Sequence, residues 1–281
     1  MTDIKCGYLG PPGTFSQEAG LKYFGKEQNL IPLKSINQIV DQLKATRIDV
    51  GIIPVENSLE GSVNLSMDLL FKESCLEIIG EVIVPIRHFL LAPSGVKIDD
   101  IKQLFSHSQA IGQANLFINK HLPEVKISFT ESTALAAELI QGSKDKAMIG
   151  SKRVSSIYDL DILAEDIQDY YHNYTRFLII TNKHNGISHP ASSDEYKTSI
   201  ICAPSVNQAG VLYDILGEFA REEINLTRVE SRPTKKQLGE YLFYIDFEGH
   251  RDDPGVIRAL TGVRQKCGVF KILGSYVKAK I

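Results

Sequence analysis

The chain has no cysteine pair at metal-binding or redox spacing, no long apolar run and no excess of either charge. Its four cysteines, Cys6, Cys75, Cys202 and Cys267, stand far apart without a C-x-x-C motif. They read as small buried hydrophobes in a reducing cytoplasm. No span reaches the ~20 apolar residues of a membrane helix, because the stretch from Ile78 to Leu91 is interrupted by Glu81, Arg87 and His88. The opening Met1-Thr2-Asp3-Ile4-Lys5 lacks the apolar core of a signal peptide. A formal net charge of −3 gives no reason to expect nucleic acid or an anionic membrane as partner. Gly7-x-x-Gly10-x-x-Gly13 lacks the G-x-G start of a dinucleotide fingerprint and the Lys-Ser/Thr of a nucleotide P-loop. No H-E-x-x-H or clustered His/Cys set implies a metal. Ser58 has no nearby His/Asp relay in sequence, which argues against a hydrolase triad.

What is present is the composition of an ordinary globular protein, 43% hydrophobic and 23% charged over 281 residues. At about 150 residues per domain this suggests two domains. Strand-like and helix-like patterns alternate from the start. Residues 4–9 read as a strand, a helix begins near Phe15, and Leu30 to Leu33 is a short strand. Ser35 is positioned to cap a helix with Ile36, Ile39, Val40 and Leu43 on one face. Asp49 to Val55 is a strand, and Ser62 is expected to open a helix. This β-α-β-α-β order predicts a mostly parallel sheet covered on both faces. Residues 76–92 are β-rich and lead into a second α/β lobe, about 80–170, with strands near 103–106, 125–129 and 146–150. Helices are expected at 109–120, 132–141 and 151–158. A strand over 174–181 returns to the first lobe, leaving a cleft between the lobes.

Asn182 to Glu195 is rich in His, Gly, Ser and Pro and reads as a linker. The pattern beyond it predicts strands at 197–203, 224–232, 240–247 and 269–278 and helices at 208–221 and 253–266. That is the ferredoxin-like βαββαβ order. Tyr241, Phe243, Ile245 and Phe247 are expected on one face of its hairpin.

Polar clusters recur where strands hand over to helices. They are Gly10 to Ser16, Pro54 to Ser62, Ser106-His107-Ser108-Gln109 and Thr130-Glu131-Ser132-Thr133. Strand C-termini are where open α/β sheets bind ligands, and helix starts favour anions. Each cluster is also a plain capping signal, and His107 reads equally as a cap. Asn173-Tyr174-Thr175-Arg176-Phe177 then places a hydroxyl, a guanidinium and a ring at the mouth of a buried strand. Alternation turns Thr175 and Phe177 one way and Arg176 the other. The guanidinium can fork onto a carboxylate, and the hydroxyl can donate to a leaving oxygen. The whole describes a polar cleft for a small oxygenated acid.

These segments, with Gly61-Ser62-Val63, Gln113, Ile167-Gln168-Asp169, Gly210-Val211-Leu212 and Glu230-Ser231-Arg232-Pro233, resemble the monofunctional prephenate dehydratases with a C-terminal ACT regulatory domain. The resemblance runs over residues 4–278. It implies a two-lobed, periplasmic-binding-protein-like α/β catalytic domain over 1–181, a linker over 182–196 and a ferredoxin-like ACT domain over 197–281. It implies conversion of prephenate to phenylpyruvate, water and CO2 without a cofactor, and feedback inhibition by L-phenylalanine in a cytoplasmic homodimer or homotetramer. Thr175, Arg176 and Phe177 are the implied catalytic residues. Thr175 donates to the departing hydroxyl, Phe177 packs behind it, and Arg176 binds a carboxylate or supports the loop. Thr14, Ser16, Asn57, Ser58, Ser106, Gln113, Ser132 and Thr133 are the implied substrate-binding residues. Asn207, Gln208, Ala209, Gly210, Val211, Leu212, Glu230 and Ser231 are those implied for phenylalanine. The chain departs from the family's pattern at Ser108, Ala114, Tyr170, Tyr171, His172 and Ala209, none of which removes a proposed chemical group. An arogenate dehydratase, a non-aromatising decarboxylase and a non-catalytic amino-acid-responsive binding protein are the alternatives. The intact Thr175-Arg176-Phe177 argues against the decarboxylase, which need not expel hydroxide.

Overall fold

The computed structural model describes residues 4–25, 29–187, 195–234 and 240–280, apart from the side chain of residue 134. From the N-terminus the chain forms β1 (Cys6–Leu9), α1 (Phe15–Phe24), β2 (Leu30–Leu33), α2 (Ile36–Lys44), β3 (Val50–Asn57), β4 (Gly61–Ser62), α3 (Asn64–Lys72) and β5 (Leu76–Pro85). Next come β6 (Phe89–Pro93), β7 (Gln103–Ser106), α4 (Ser108–Gln113), α5 (Asn115–His121), β8 (Lys126–Phe129), α6 (Thr133–Ile140), β9 (Lys146–Gly150), α7 (Lys152–Tyr158), β10 (Leu160–Ala164) and β11 (Tyr174–Asn182). The last elements are β12 (Tyr196–Pro204), α8 (Val211–Arg221), β13 (Leu226–Pro233), β14 (Tyr241–Glu248), α9 (Pro254–Lys266) and β15 (Cys267–Val277). Three sheets result, ordered β2-β1-β3-β11-β5 with β4 on β3, β10-β6-β9-β7-β8, and β13-β14-β12-β15. Contacts divide the chain into two compact units, Met1–Ser66 with Val82–Phe177 and Met67–Glu81 with Leu178–Lys280.

In the first unit, β1 pairs in parallel with both β2 and β3. The α2 helix forms as its spacing predicts: Ile36, Ile39, Val40 and Leu43 are buried, and the Ser35 hydroxyl accepts the Gln38 N–H at 3.1 Å. Ser62 does not open a helix. It pairs with Glu56 in β4, and the helix starts at Asn64. The second lobe's sheet is mixed. β7 runs parallel to β8 and β9, whereas β6 is antiparallel to β9 and β10. It is buried on both faces: Leu90, Leu104 and Ile149 join one core cluster, while Phe89, Leu91 and Met148 join another. That burial explains why β6 reads as a continuous apolar run rather than an alternating one.

The helix expected over 109–120 is broken at Ala114 into α4 and α5. Asp169 holds the break. Its backbone N–H donates to the Gln113 carbonyl at 2.6 Å, and its carboxylate accepts the Leu116 N–H at 3.1 Å, capping the second helix.

In the second unit the βαββαβ order appears as expected. Phe243, Ile245 and Phe247 pack with Ile215, Phe219, Val256 and Val263, but Tyr241 stays largely exposed. Leu242, Tyr244 and Asp246 on the other face of β14 are buried too. Residues 67–81 account for part of that: the Tyr244 hydroxyl donates to the Met67 carbonyl at 2.8 Å. β11 extends to Asn182 and β12 begins at Tyr196; residues 188–194 of the expected linker lie outside the described residues.

Candidate active site

A cavity of about 260 Å³ opens in the first unit beside the ends of β3, β11, α1, α4 and α6. Eight of the sequence-derived candidates line it: Thr14, Ser16, Asn57, Gln113, Ser132, Thr133, Thr175 and Phe177. A wider cavity of about 640 Å³ shares Leu9, Thr14, Ser16, Glu131 and Ser132 with it and adds Lys34. Among the described residues lining the inner cavity there is no Lys or Arg, and its carboxylate is Glu131. An anion here meets helix N-termini and hydroxyls instead of fixed cations. Thr14 stands at the N-cap of α1, its hydroxyl donating to the Leu9 carbonyl at 2.9 Å. Ser132 caps α6 by accepting the Leu135 N–H at 3.1 Å. The partial positive charge at each helix start favours carboxylates. His107 is indeed a cap, with Nδ1 3.3 Å from the Gln109 nitrogen, and it also lines the cavity.

Three candidates are placed elsewhere. Arg176 is turned to the opposite face of β11 by strand alternation, and its guanidinium lies 3.6 Å from the Glu56 carboxylate. Ser106 is fully buried and donates to the Ile149 carbonyl at 2.7 Å, tying β7 to β9. Ser58 donates to the His172 carbonyl at 3.1 Å and accepts the Tyr174 N–H at 2.9 Å, so it fixes the approach to β11.

The polar groups of the cavity form one chain whose donor sense is set by the backbone. The N–H groups of Leu59 and Glu60 both donate to Asn57 Oδ1, each at 3.0 Å. Asn57 must therefore present Nδ2 on its other side. It donates to Thr175 Oγ1 at 2.9 Å and to Asn173 Oδ1 at 2.8 Å. Asn173 Nδ2 in turn donates to Gln113 Oε1 at 2.8 Å. His88 Nε2, 2.9 Å from that same oxygen, can only be a donor. Thr175 thus accepts from Asn57, and its own O–H proton is left to donate. Two buried atoms of this network, Gln113 Nε2 and His88 Nδ1, have no hydrogen-bond partner among the described residues. Burial holds the His88 imidazole below its ordinary pKa, against the opposing effect of its bond to Gln113.

Sequence reasoning missed His88 and gave Asn173 no role. Asn173 carried a signal, since it opens the Asn-x-Thr-Arg-Phe segment. His88 carried none, being a single His in an apolar stretch between two strands.

In the second unit a cavity of about 320 Å³ is lined by Asn207 and Val211 together with Phe71, Thr234, Glu240 and Tyr241. Gly210 adopts φ +87° at the N-terminus of α8, a conformation that favours glycine. Gln208 and Ala209 are exposed, Leu212 packs toward the core, Glu230 pairs with Arg228, and Ser231 lies on β13 opposite Phe243.

The fold defines an α/β protein with a polar cavity in its first unit and a βαββαβ arrangement at its C-terminal end. Residues 6–185 match the prephenate dehydratase family and residues 205–265 match the ACT domain. The chain is 40% identical to prephenate dehydratase of Methanocaldococcus jannaschii, covering 96% of both chains. It is 35% identical to that of Bacillus subtilis, covering 97% of this chain and 98% of the relative. Its fold matches the crystal structure of prephenate dehydratase in complex with L-Phe from Arthrobacter aurescens with a TM-score of 0.88 at 33% identity, covering 98% of this chain and 90% of that one. The chain belongs to the prephenate dehydratase family.

Proposed function

We propose that the inner cavity is where this enzyme converts prephenate to phenylpyruvate, water and CO2, with Thr175 assisting departure of the ring hydroxyl. The observation that carries this reading is the Asn57 Nδ2 to Thr175 Oγ1 hydrogen bond. It occupies the hydroxyl oxygen as an acceptor and leaves the proton for a substrate oxygen. In the reaction the bond from the ring to its carboxylate breaks, and the electron pair enters the ring. The bond to the C4 oxygen then breaks, with the leaving oxygen taking up a proton. Aromatisation supplies the driving force, so the protein need only hold the reacting conformer and donate to the leaving group. Phe15, Ile86 and Phe177 give the departing CO2 an apolar surround. The starts of α1 and α6 hold the side-chain carboxylate through Thr14, Ser16, Ser132 and Thr133. L-Phenylalanine acts at the ACT domain over 197–281, downstream of a catalytic domain over 1–181, in a homodimer or homotetramer. Glycine at position 210 supports an effector held close to backbone.

The test is to follow phenylpyruvate formation by purified protein with and without L-phenylalanine. Thr175→Ala lowers kcat by about 10²-fold or more, the scale of lost acid catalysis, whereas Thr175→Ser retains most of it. Wild-type turnover in the alanine variant refutes the assignment.

A further inference from the structure

His88 is almost wholly buried and lines the inner cavity, yet it sits on no helix or strand. Its backbone is clamped instead. The His88 N–H donates to Gln168 Oε1 at 2.9 Å, and its carbonyl accepts the Ile167 N–H at 3.0 Å. Its ring meets the Phe15 ring edge-on, with centroids 6.0 Å apart. A ring held from both sides has little freedom to choose another rotamer. Its Nε2 meets Gln113 Oε1, which already accepts from Asn173.

We propose that His88 is a positioning residue for the dehydration: as a neutral Nε2–H donor it locks the Gln113 amide so that Gln113 Nε2 is presented to a substrate oxygen. The inference rests on the reading of the cavity as the active site. A glutamine amide has two nearly isosteric orientations, and only its partners decide between them. Asn173 supports one orientation with a single donated bond; His88 adds the second. With both donors on Oε1, the amide nitrogen has no partner among the described residues and keeps both protons for a ligand. A buried donor left unpaired costs stability, and a substrate oxygen repays that cost when it binds. Burial keeps the imidazole neutral, the Gln113 oxygen selects its Nε2–H tautomer, and among the described residues no cation is placed beside the reacting groups.

The experiment combines kinetics with nitrogen NMR of histidine-labelled protein. The wild-type spectrum shows His88 protonated at Nε2 and bare at Nδ1 at neutral pH; the opposite tautomer overturns the proposal without any variant. His88→Leu lowers kcat by about 10- to 100-fold, the scale of a misplaced reacting group, with KM changed less than about threefold. His88→Gln, which can place an amide N–H where Nε2 stood, restores kcat to within about threefold of wild type. The His88→Leu/Gln113→Ala double variant is no slower than Gln113→Ala alone, because His88 acts through Gln113. Multiplying defects, a glutamine variant as slow as the leucine variant, or a leucine variant at wild-type rate each overturn the role. Thr175→Ala separates the two readings: if it is inactive while His88→Leu is normal, only the His88 inference falls, and if Thr175→Ala is active, the cavity assignment falls as well.

Discussion

Replacing Asn57 by Asp changes one NH2 to an oxygen and tests the direction of the hydrogen-bond chain rather than its existence. The Leu59 and Glu60 N–H groups still find an acceptor, so the turn after β3 keeps its two 3.0 Å bonds. The other oxygen of residue 57 now accepts, and Thr175 must turn its proton toward it and away from the cavity. Asn173 flips to donate to the new carboxylate. Gln113 flips to donate to Asn173, and its amide oxygen takes the place of Nε2. His88 moves its proton to Nδ1 to accept from Gln113. Nearly every side-chain bond in the chain is kept with its sense reversed, while the Nδ2 bond to the Tyr174 carbonyl is lost and the buried carboxylate lowers stability. Catalysis loses the Thr175 proton, a general acid worth about 10²- to 10⁴-fold, which is about 3–5.5 kcal/mol of barrier at 1.36 kcal/mol per decade. The added negative charge also raises KM, so the quantity to measure is kcat at saturating prephenate. Histidine nitrogen shifts report the tautomer change, and thermal unfolding reports the fold. An Asn57→Asp enzyme with kcat within about threefold of wild type refutes the argument that the direction of these bonds governs the reaction.

Lys197→Met strands Glu81, whose buried carboxylate oxygens lie 2.7 and 3.0 Å from the Lys197 ammonium. The expected loss is about 3–5 kcal/mol, measured by guanidinium denaturation of the full chain; a loss below about 1 kcal/mol rules out an essential pair. Because the folded pKa of His88 lies below its ordinary 6.5, its contribution to stability is full above pH 6.5. It is lost as pH falls toward the depressed value, since the unfolded chain takes the proton first. His88→Gln therefore flattens the decline of the urea midpoint between about pH 7 and 5, and equal slopes in the two proteins contradict this. Gly210→Leu forces a side chain into φ +87° at a cost of about 1–2 kcal/mol. It weakens phenylalanine inhibition, and an unchanged inhibition curve removes Gly210 from the effector site.

Much of this protein is written in local pattern. The α2 stripe, the Ser35 cap and the βαββαβ order follow from periodicity and capping, which are short-range rules. The candidate cavity was legible because helix starts and strand ends announce themselves in polar clusters, and strand alternation already turned Arg176 away from Thr175. What stayed hidden depends on partners distant in sequence. Gly112 weakens that helix locally, but the groups that hold it open at Ala114 belong to Asp169, much further along the chain. Ser106 reads as a binding hydroxyl until Ile149 is seen to take its proton. The second buried face of β14 needs residues 67–81, which local alternation cannot supply. His88 acquires meaning only when Gln113 and Asn173 arrive from elsewhere in the chain.

The interruption at Ala114 also fixes the length of a loop. Asp169 is fastened to Gln113 and Leu116, while Asn173, four residues on, must reach the side chain of that same Gln113. Three residues, Tyr170, Tyr171 and His172, bridge the two anchors, and both tyrosine side chains are exposed. Their side chains form neither anchor, whereas one inserted or deleted residue would pull Asn173 and Thr175 out of step with α4. Variation among relatives should accordingly alter the letters of this bridge and spare its count.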